Sequence, residues 1–249
     1  IDTANAGWRR YEGEDGEITL GYSGWHKPRR EYKALEFQLD RAWDEKWLFN
    51  ASYTLAYSEG NAEGPVNSDT DFADSGRTEA FDTPWVAYYG TGYLPNDRRH
   101  QIKLRGVYAI TENWHVGSTL NARSGRPVSA FGAADPFDNE QFHSLFVCVA
   151  NCDAEDSSDR TYEFIQRGSY GRLPWTYELG LNLTYLKSFE NANLRVSLDL
   201  FNITNQQRVN EVDDALELED AIGVRNSTFL QGTDFQPARY GQLSVSLDF

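Results

Sequence analysis

Hydrophobic and polar residues alternate one for one along several stretches of this chain. In residues 175–189, WTYELGLNLTYLKSF, Trp175, Tyr177, Leu179, Leu181, Leu183 and Tyr185 fall on one side. Thr176, Glu178, Gly180, Asn182 and Thr184 fall on the other. The stretches NLRVSLDLFN and KWLFNASYTLAYS repeat the pattern, and so does ARYGQLSVSLDF at the end. Side chains on a strand point alternately to opposite faces, so each stretch predicts a strand with one apolar and one polar face. Helical spacing fits none of them. About eight strands are predicted, near 16–24, 30–42, 46–59, 97–111, 113–125, 175–189, 193–205 and 238–249. The fold class expected is all-β and antiparallel.

The connections sharpen this. Three are tight, at Asp44-Glu45, Glu112-Asn113 and Glu190-Asn191-Ala192; between them run long ones near 60–96, 126–174 and 206–237. Strict alternation puts every tight turn at one end of the sheet and every long loop at the other. Outer-membrane barrels have this plan, with short periplasmic turns and long extracellular loops. Aromatics flank both ends: Trp47, Phe49, Trp114, Phe189 and Phe249 near the tight turns, and Tyr57, Trp175, Tyr177 and Tyr240 near the long loops. The ten residues from Trp47 to Tyr57 span about 33 Å, or about 25 Å along the axis of a strand tilted by about 40°. That is the height of an apolar band in a bilayer. The membrane-facing set expected is Leu35, Phe37, Leu39, Trp47, Phe49, Tyr53, Leu55, Leu120, Leu181, Leu183, Val196, Leu198, Leu243, Val245 and Leu247.

Composition agrees. The 249 residues carry a net charge of −15, which argues against a nucleic-acid-binding surface. No apolar run reaches the length of a membrane-spanning helix, and mean hydropathy is −0.63. A barrel with a polar interior and polar loops keeps that average low. The chain starts IDTANAGWRR, without an initiator Met, and is expected to be a processed chain or a portion of a larger one.

The stretches REYKALEFQLDRAWDEKWLFNASYTLAYSEGN, NDRRHQIKLRGVYAITENWHVGSTLNARSGRPVS, LDLFNITNQQ and ARYGQLSVSLDF resemble the C-terminal part of TonB-dependent outer-membrane receptors. The resemblance is to the Oar-like group with a carboxypeptidase-regulatory-like domain, and it runs from about Arg29 onward. It implies a 22-stranded barrel in a Gram-negative outer membrane, holding an N-terminal plug and importing a bulky ligand with energy relayed by TonB. Residues 1–249 would then be about eight C-terminal strands of that barrel, with the plug and the remaining strands absent. The partners implied are the TonB complex, outer-membrane lipid and lipopolysaccharide, and the barrel-assembly machinery, for which Phe249 resembles the recognition signal. Strand 16–24 is then expected to pair with a strand outside this sequence, and 238–249 with the first strand of the whole protein. The alternative is a self-contained small barrel with a structural or adhesive surface role.

Candidate chemistry is sparse. Cys148 and Cys152 lie in the longest loop, on the oxidising side of the membrane, and are expected to form a disulfide. The rival is a metal pair with His143. Acidic clusters at Asp69, Asp71 and Asp74, at Asp153, Glu155, Asp156 and Asp159, and from Glu211 to Asp220 read as solvated surface. Asp69, Asp71 and Asp74 are the candidates for Ca²⁺. Lys103, Arg105, Arg123 and Arg195 fall on the inner face, where pairing with neighbouring Asp and Glu across the wall is expected and contact with an anionic ligand is the alternative. NDRRH opens a strand and its charges are expected to anchor the outer interface. There is no HExxH, GxSxG or P-loop, so neither an enzyme nor a cofactor is expected.

Overall fold

Seven long strands, counted among the described residues, carry the alternation into one antiparallel sheet. The computed structural model describes residues 7–12, 18–23, 27–64, 66, 68–69, 84–134, 136, 144–218 and 221–249; 7–12, 18–23 and 84–86 are described by backbone alone. In chain order the strands begin with β1 (Gly7–Glu12), β2 (Ile18–Ser23), β3 (Arg30–Arg41), β4 (Trp47–Gly60), β5 (Gly92–Tyr93), β6 (His100–Ala109) and β7 (Trp114–Arg123). Then come β8 (Pro127–Val128), β9 (Phe146–Ala150), β10 (Thr161–Phe164), β11 (Gly171–Arg172), β12 (Thr176–Ser188) and β13 (Asn193–Phe201). The last are β14 (Val209–Val212), β15 (Glu217–Leu218), β16 (Ala221–Arg225), β17 (Gly232–Phe235) and β18 (Tyr240–Asp248). One six-residue helix, α1 (Pro84–Tyr89), precedes β5.

The sheet runs β3-β4-β6-β7-β12-β13-β18, with β5 added beside the end of β4. Its register keeps the two faces pure. Leu39, Ala51, Leu104, Leu120 and Leu179 form one row across five strands, and Gln38, Ser52, Lys103, Asn121 and Glu178 form the adjacent row on the opposite face. A slip of one residue would exchange the faces, so the register is strongly specified once one face is apolar. All fifteen residues expected to face the membrane share the apolar face. Ten are exposed, from Trp47 at 39% to Leu243 at 69%, and the other five are half-buried by their neighbours. An apolar face of this extent on a water-soluble monomer would be an aggregation surface.

The tight turns fall where the sequence places them. Asp44 Oδ1 accepts from Lys46 N at 3.2 Å and Trp47 N at 3.0 Å, Arg41 pairs with the same carboxylate, and Glu45 takes the left-handed conformation at φ 67°. Thr111 Oγ1 accepts from Trp114 N at 3.1 Å, and Phe189 N bonds Ala192 O at 2.7 Å. Rings line this end, with Trp114 and Tyr185 4.9 Å apart and the Arg41 guanidinium 4.1 Å over Trp47. At the other end Phe37, Tyr53, His100, Trp175 and Tyr177 form a run of near-parallel rings at 5.8–6.3 Å spacings. His100 Nδ1 is satisfied there by the Tyr53 hydroxyl at 2.9 Å.

One expectation needs correction. Strand 16–24 is not an edge of the large sheet: β2 pairs with β1, from Gly7↔Ser23 to Glu12↔Ile18, as a separate hairpin. Only five residues, GEDGE, separate the two strands in sequence, and so short a separation favours the local partner. The edges are instead β3 and β18, which do not pair with each other among the described residues, so the sheet is open. Tyr240 opens β18 beside the long connections, where it is expected. It lies opposite Phe201, one residue out of phase with Leu200↔Gly241, and its ring stacks on Phe201 at 4.5 Å.

Candidate functional site

Over their described residues the long connections 126–174 and 206–237 are folded rather than structureless, and with the polar face they form the candidate site. They pair β9 with β10, β8 with β11, β14 with β17 and β15 with β16, making a cap at one end of the sheet. The apolar core of the described residues lies in this cap, where Ala130, Val147 and Leu216 pack with Ile165 and Phe229. Glycines permit the close approaches it needs. A Cβ on Gly125 would lie 1.7 Å from Leu173 O, and one on Gly132 would lie 2.0 Å from Phe146 O.

Buried acids tie the connections together. The Asp69 side chain, 2% exposed, accepts from Arg167 Nε at 2.8 Å and Arg126 Nη2 at 3.1 Å; Arg126 also pairs with Glu211. Asp97, fully buried, accepts from Arg172 Nη2 at 2.6 Å and from Ser58 N at 2.9 Å. Glu217 accepts from Cys148 N at 2.9 Å and Ala133 N at 3.0 Å. These placements revise the reading of the acidic loops. Asp69 has both oxygens occupied by guanidinium groups rather than open to Ca²⁺, while Asp71 and Asp74 lie outside the described residues. Glu217 and Asp213 are internal bonding hubs instead of solvated charges, the latter accepting from Asn226 Nδ2, Thr228 Oγ1 and Ala215 N. Asp97 likewise joins the cap and does not anchor an interface. Asp156 does face water, capping the single helical turn at Ser157–Asp159 by accepting from Ser158 N.

Cys148 and Cys152 are bonded, with their Cα atoms 5.7 Å apart. Gly223, at φ +77°, packs against Cys152, where a Cβ would approach Sγ to 2.7 Å, so the bond lies at the junction of β9 and β16. His143, the rival metal ligand, lies outside the described residues. Thiol reagents are expected to leave both positions unmodified in the intact, unreduced protein; labelling at both would show the bond absent. Cys148→Ser is expected to leave sheet assembly unchanged, because the closed loop is too short to restrict the unfolded chain much.

Burial shifts two titrations in the cap. Asp214 is raised to about 8 by burial and then by the nearby Asp69 charge, against the opposing pull of Arg126. The unfolded carboxyl loses its proton at about pH 4 while the folded one keeps it to about pH 8. Cap stability should therefore fall as pH rises across that window. Asp214→Asn is expected to flatten the fall and to stabilise the cap at pH 8 by on the order of 2 kcal/mol. Hydrogen exchange of residues 126–174 at pH 5 and pH 8 tests this; an unchanged pH profile in the variant would refute it. Arg98 is lowered to about 10 by burial and by repulsion from Arg123, Arg126 and Arg172.

On the polar face, Lys103, Arg105, Arg123 and Arg195 are all exposed. Pairing with neighbouring acids does not occur among the described residues. The register explains why: Lys103 lies between Ser52 and Asn121, Arg105 between Asn50 and Thr119, Arg123 between Gln101 and Thr176, and Arg195 between Leu186 and Ser246. Arg123 Nε donates to Thr176 Oγ1 at 3.2 Å. Of the nearby acids, Asp40 is bonded by Asn50 and Asp199 by Asn182, each at 2.7 Å, and Glu178 is separated from Lys103 by Asn121 in the same row.

A two-faced antiparallel sheet with tight turns at one end and a folded cap at the other has the plan of an outer-membrane barrel wall. No protein-family model matches the chain. Over 220 residues, 86% of its length, it is 29% identical to the TonB-dependent transporter Oar of Myxococcus xanthus, and it spans 19% of that relative. It is also similar to the ferric-catecholate import receptor Fiu of E. coli K12 in its closed form, over 96% of this chain and 23% of that one, at 12% identity and a TM-score of 0.44. The chain is thus similar to a TonB-dependent transporter, and it spans about a fifth of that relative's length.

Proposed function

We propose that this chain forms part of the barrel wall of a TonB-dependent outer-membrane receptor that imports a bulky ligand. The observation that carries this is the in-register apolar face across seven strands, in a chain related to a TonB-dependent transporter. On this reading the apolar face meets lipid and the cap faces the outside. The polar face lines a lumen that holds the plug, and Phe249 is read by the assembly machinery at the periplasmic rim. The two free edges of the sheet, β3 and β18, are completed by further strands of the same barrel. A self-contained small barrel would need those two strands to pair, and they do not among the described residues. The relative is a transporter, and we infer no catalytic step for this chain.

Topology is tested by adding protease to intact Gram-negative cells making the protein. Cleavage is expected in the cap, with the tight turns protected until the outer membrane is opened. Recovery in the soluble fraction would refute the membrane reading. Energisation is tested separately: deleting TonB should abolish uptake of the ligand to the same extent as deleting the protein, and uptake persisting without TonB would overturn that part.

A further inference from the structure

We propose that the polar face carries a track for a multiply charged oxyanion, formed by Arg123, Lys103 and Arg105 and leading down from the Arg98 cluster at the cap. This rests on the polar face being the inside of the barrel. Arg123 lies opposite Gln101 on β6, and Lys103 and Arg105 follow at steps of two residues on that strand. The three cations therefore occupy successive rows on neighbouring strands, about 7 Å apart. Two adjoining concavities share Lys103 and Asn121; one reaches Arg123 and the other Arg105. Between the charges lie neutral groups such as Asn121 and Thr119, which add hydrogen bonds without neutralising them.

The charge here runs against the whole chain, which is −15. Glu178, across from Asn121, is the acid lining the upper concavity, and Asp40, bonded by Asn50, is the acid lining the lower one, against two cations in each. At the top, Arg98 donates to Ser124 O at 3.3 Å while Arg172 donates to Gly125 O at 3.3 Å, which gathers guanidinium groups around residues 123–126. A guanidinium has five N–H donors. Among the described residues the Arg98 side chain donates in one long bond, and its lowered titration still leaves it charged at neutral pH. Guanidinium and ammonium groups bind phosphate and carboxylate through charge-assisted hydrogen bonds, and rows of them line anion pathways. Spacing over three rows suits a ligand with several such groups, whereas a single small anion would engage one.

The test is calorimetry on the complete purified protein in detergent, titrated with inorganic tripolyphosphate and, separately, with propane-1,2,3-tricarboxylate. Saturable binding of either is expected, weakening as salt rises. Binding of one alone identifies the oxyanion, and binding of both assigns the track to oxyanions in general. Lys103→Gln and Arg105→Gln should each weaken binding about tenfold. Lys187→Gln, on the apolar face opposite Leu194, should leave it unchanged. Absence of saturable binding, or an equal loss in the Lys187 variant, would overturn the track. Binding intact with no TonB-dependent uptake would count against the transport reading and leave the track standing.

Discussion

Leu183→Arg is expected to abolish outer-membrane assembly, or to cost the assembled protein about 2–4 kcal/mol, the penalty for a charged side chain near the bilayer midplane. Leu183 lies on β12, paired with Val116 on one side and Leu198 on the other, and it is 39% exposed. In a water-soluble sheet the same change, at a position already open to solvent, would stay within about 0.5 kcal/mol. The two readings of the fold thus differ several-fold in one number. The measurement is the heat-modifiable mobility of the protein recovered from outer membranes, followed by urea titration in lipid vesicles. Wild-type yield and midpoint would count against the membrane-facing assignment of this surface.

That assignment was legible because period-two patterning is a local property. Each strand of the large sheet after residue 29 declares its own two faces, and the tight turns carry their own signals, such as Asp44 capping Trp47 N. Partners are less legible than strands. Residues 16–24 alternate well enough to predict a strand, yet nothing in them says that the neighbour is Gly7–Glu12 and not the large sheet. Cross-strand charge was misread for a related reason. Pairing of Lys103 with an acid depends on which residues the register sets opposite it, and those are Ser52 and Asn121. The cap was hidden altogether, because its contacts join residues far apart in sequence. Asp69 meets Arg167 across 98 residues, Arg126 meets Glu211 across 85, and Glu217 meets Cys148 N across 69. An acid in a polar loop looks the same in sequence whether it is solvated, as Asp156 is, or buried between two arginines, as Asp69 is. The one usable signal was SGRP at 124–127: a glycine that must admit Leu173 O, followed by the arginine that enters the network.

Asp69→Ala is expected to cost the cap about 3–5 kcal/mol, because it strips the shared acid from two buried guanidinium groups. The side chains of Arg126 and Arg167 are 11% and 8% exposed, and among the described residues only Arg126 keeps an acidic partner, Glu211, once Asp69 is gone. The large sheet should be untouched, since its strands are held by backbone ladders that do not pass through Asp69. Hydrogen exchange is therefore expected to accelerate in residues 126–174 and 206–237, while heat-modifiable mobility and exchange in β6, β7 and β12 stay at wild-type values. Replacing Arg167 by Met in the same protein should recover part of the loss, because it removes the charge left stranded, and that recovery measures the coupling. One further readout separates loss of charge from simple loosening. Asp69 is one of the charges that raise Asp214, so in the variant the Asp214 proton should leave at lower pH. If the cap stays protected and the titration does not move, the Asp69 network does not hold this end of the protein together.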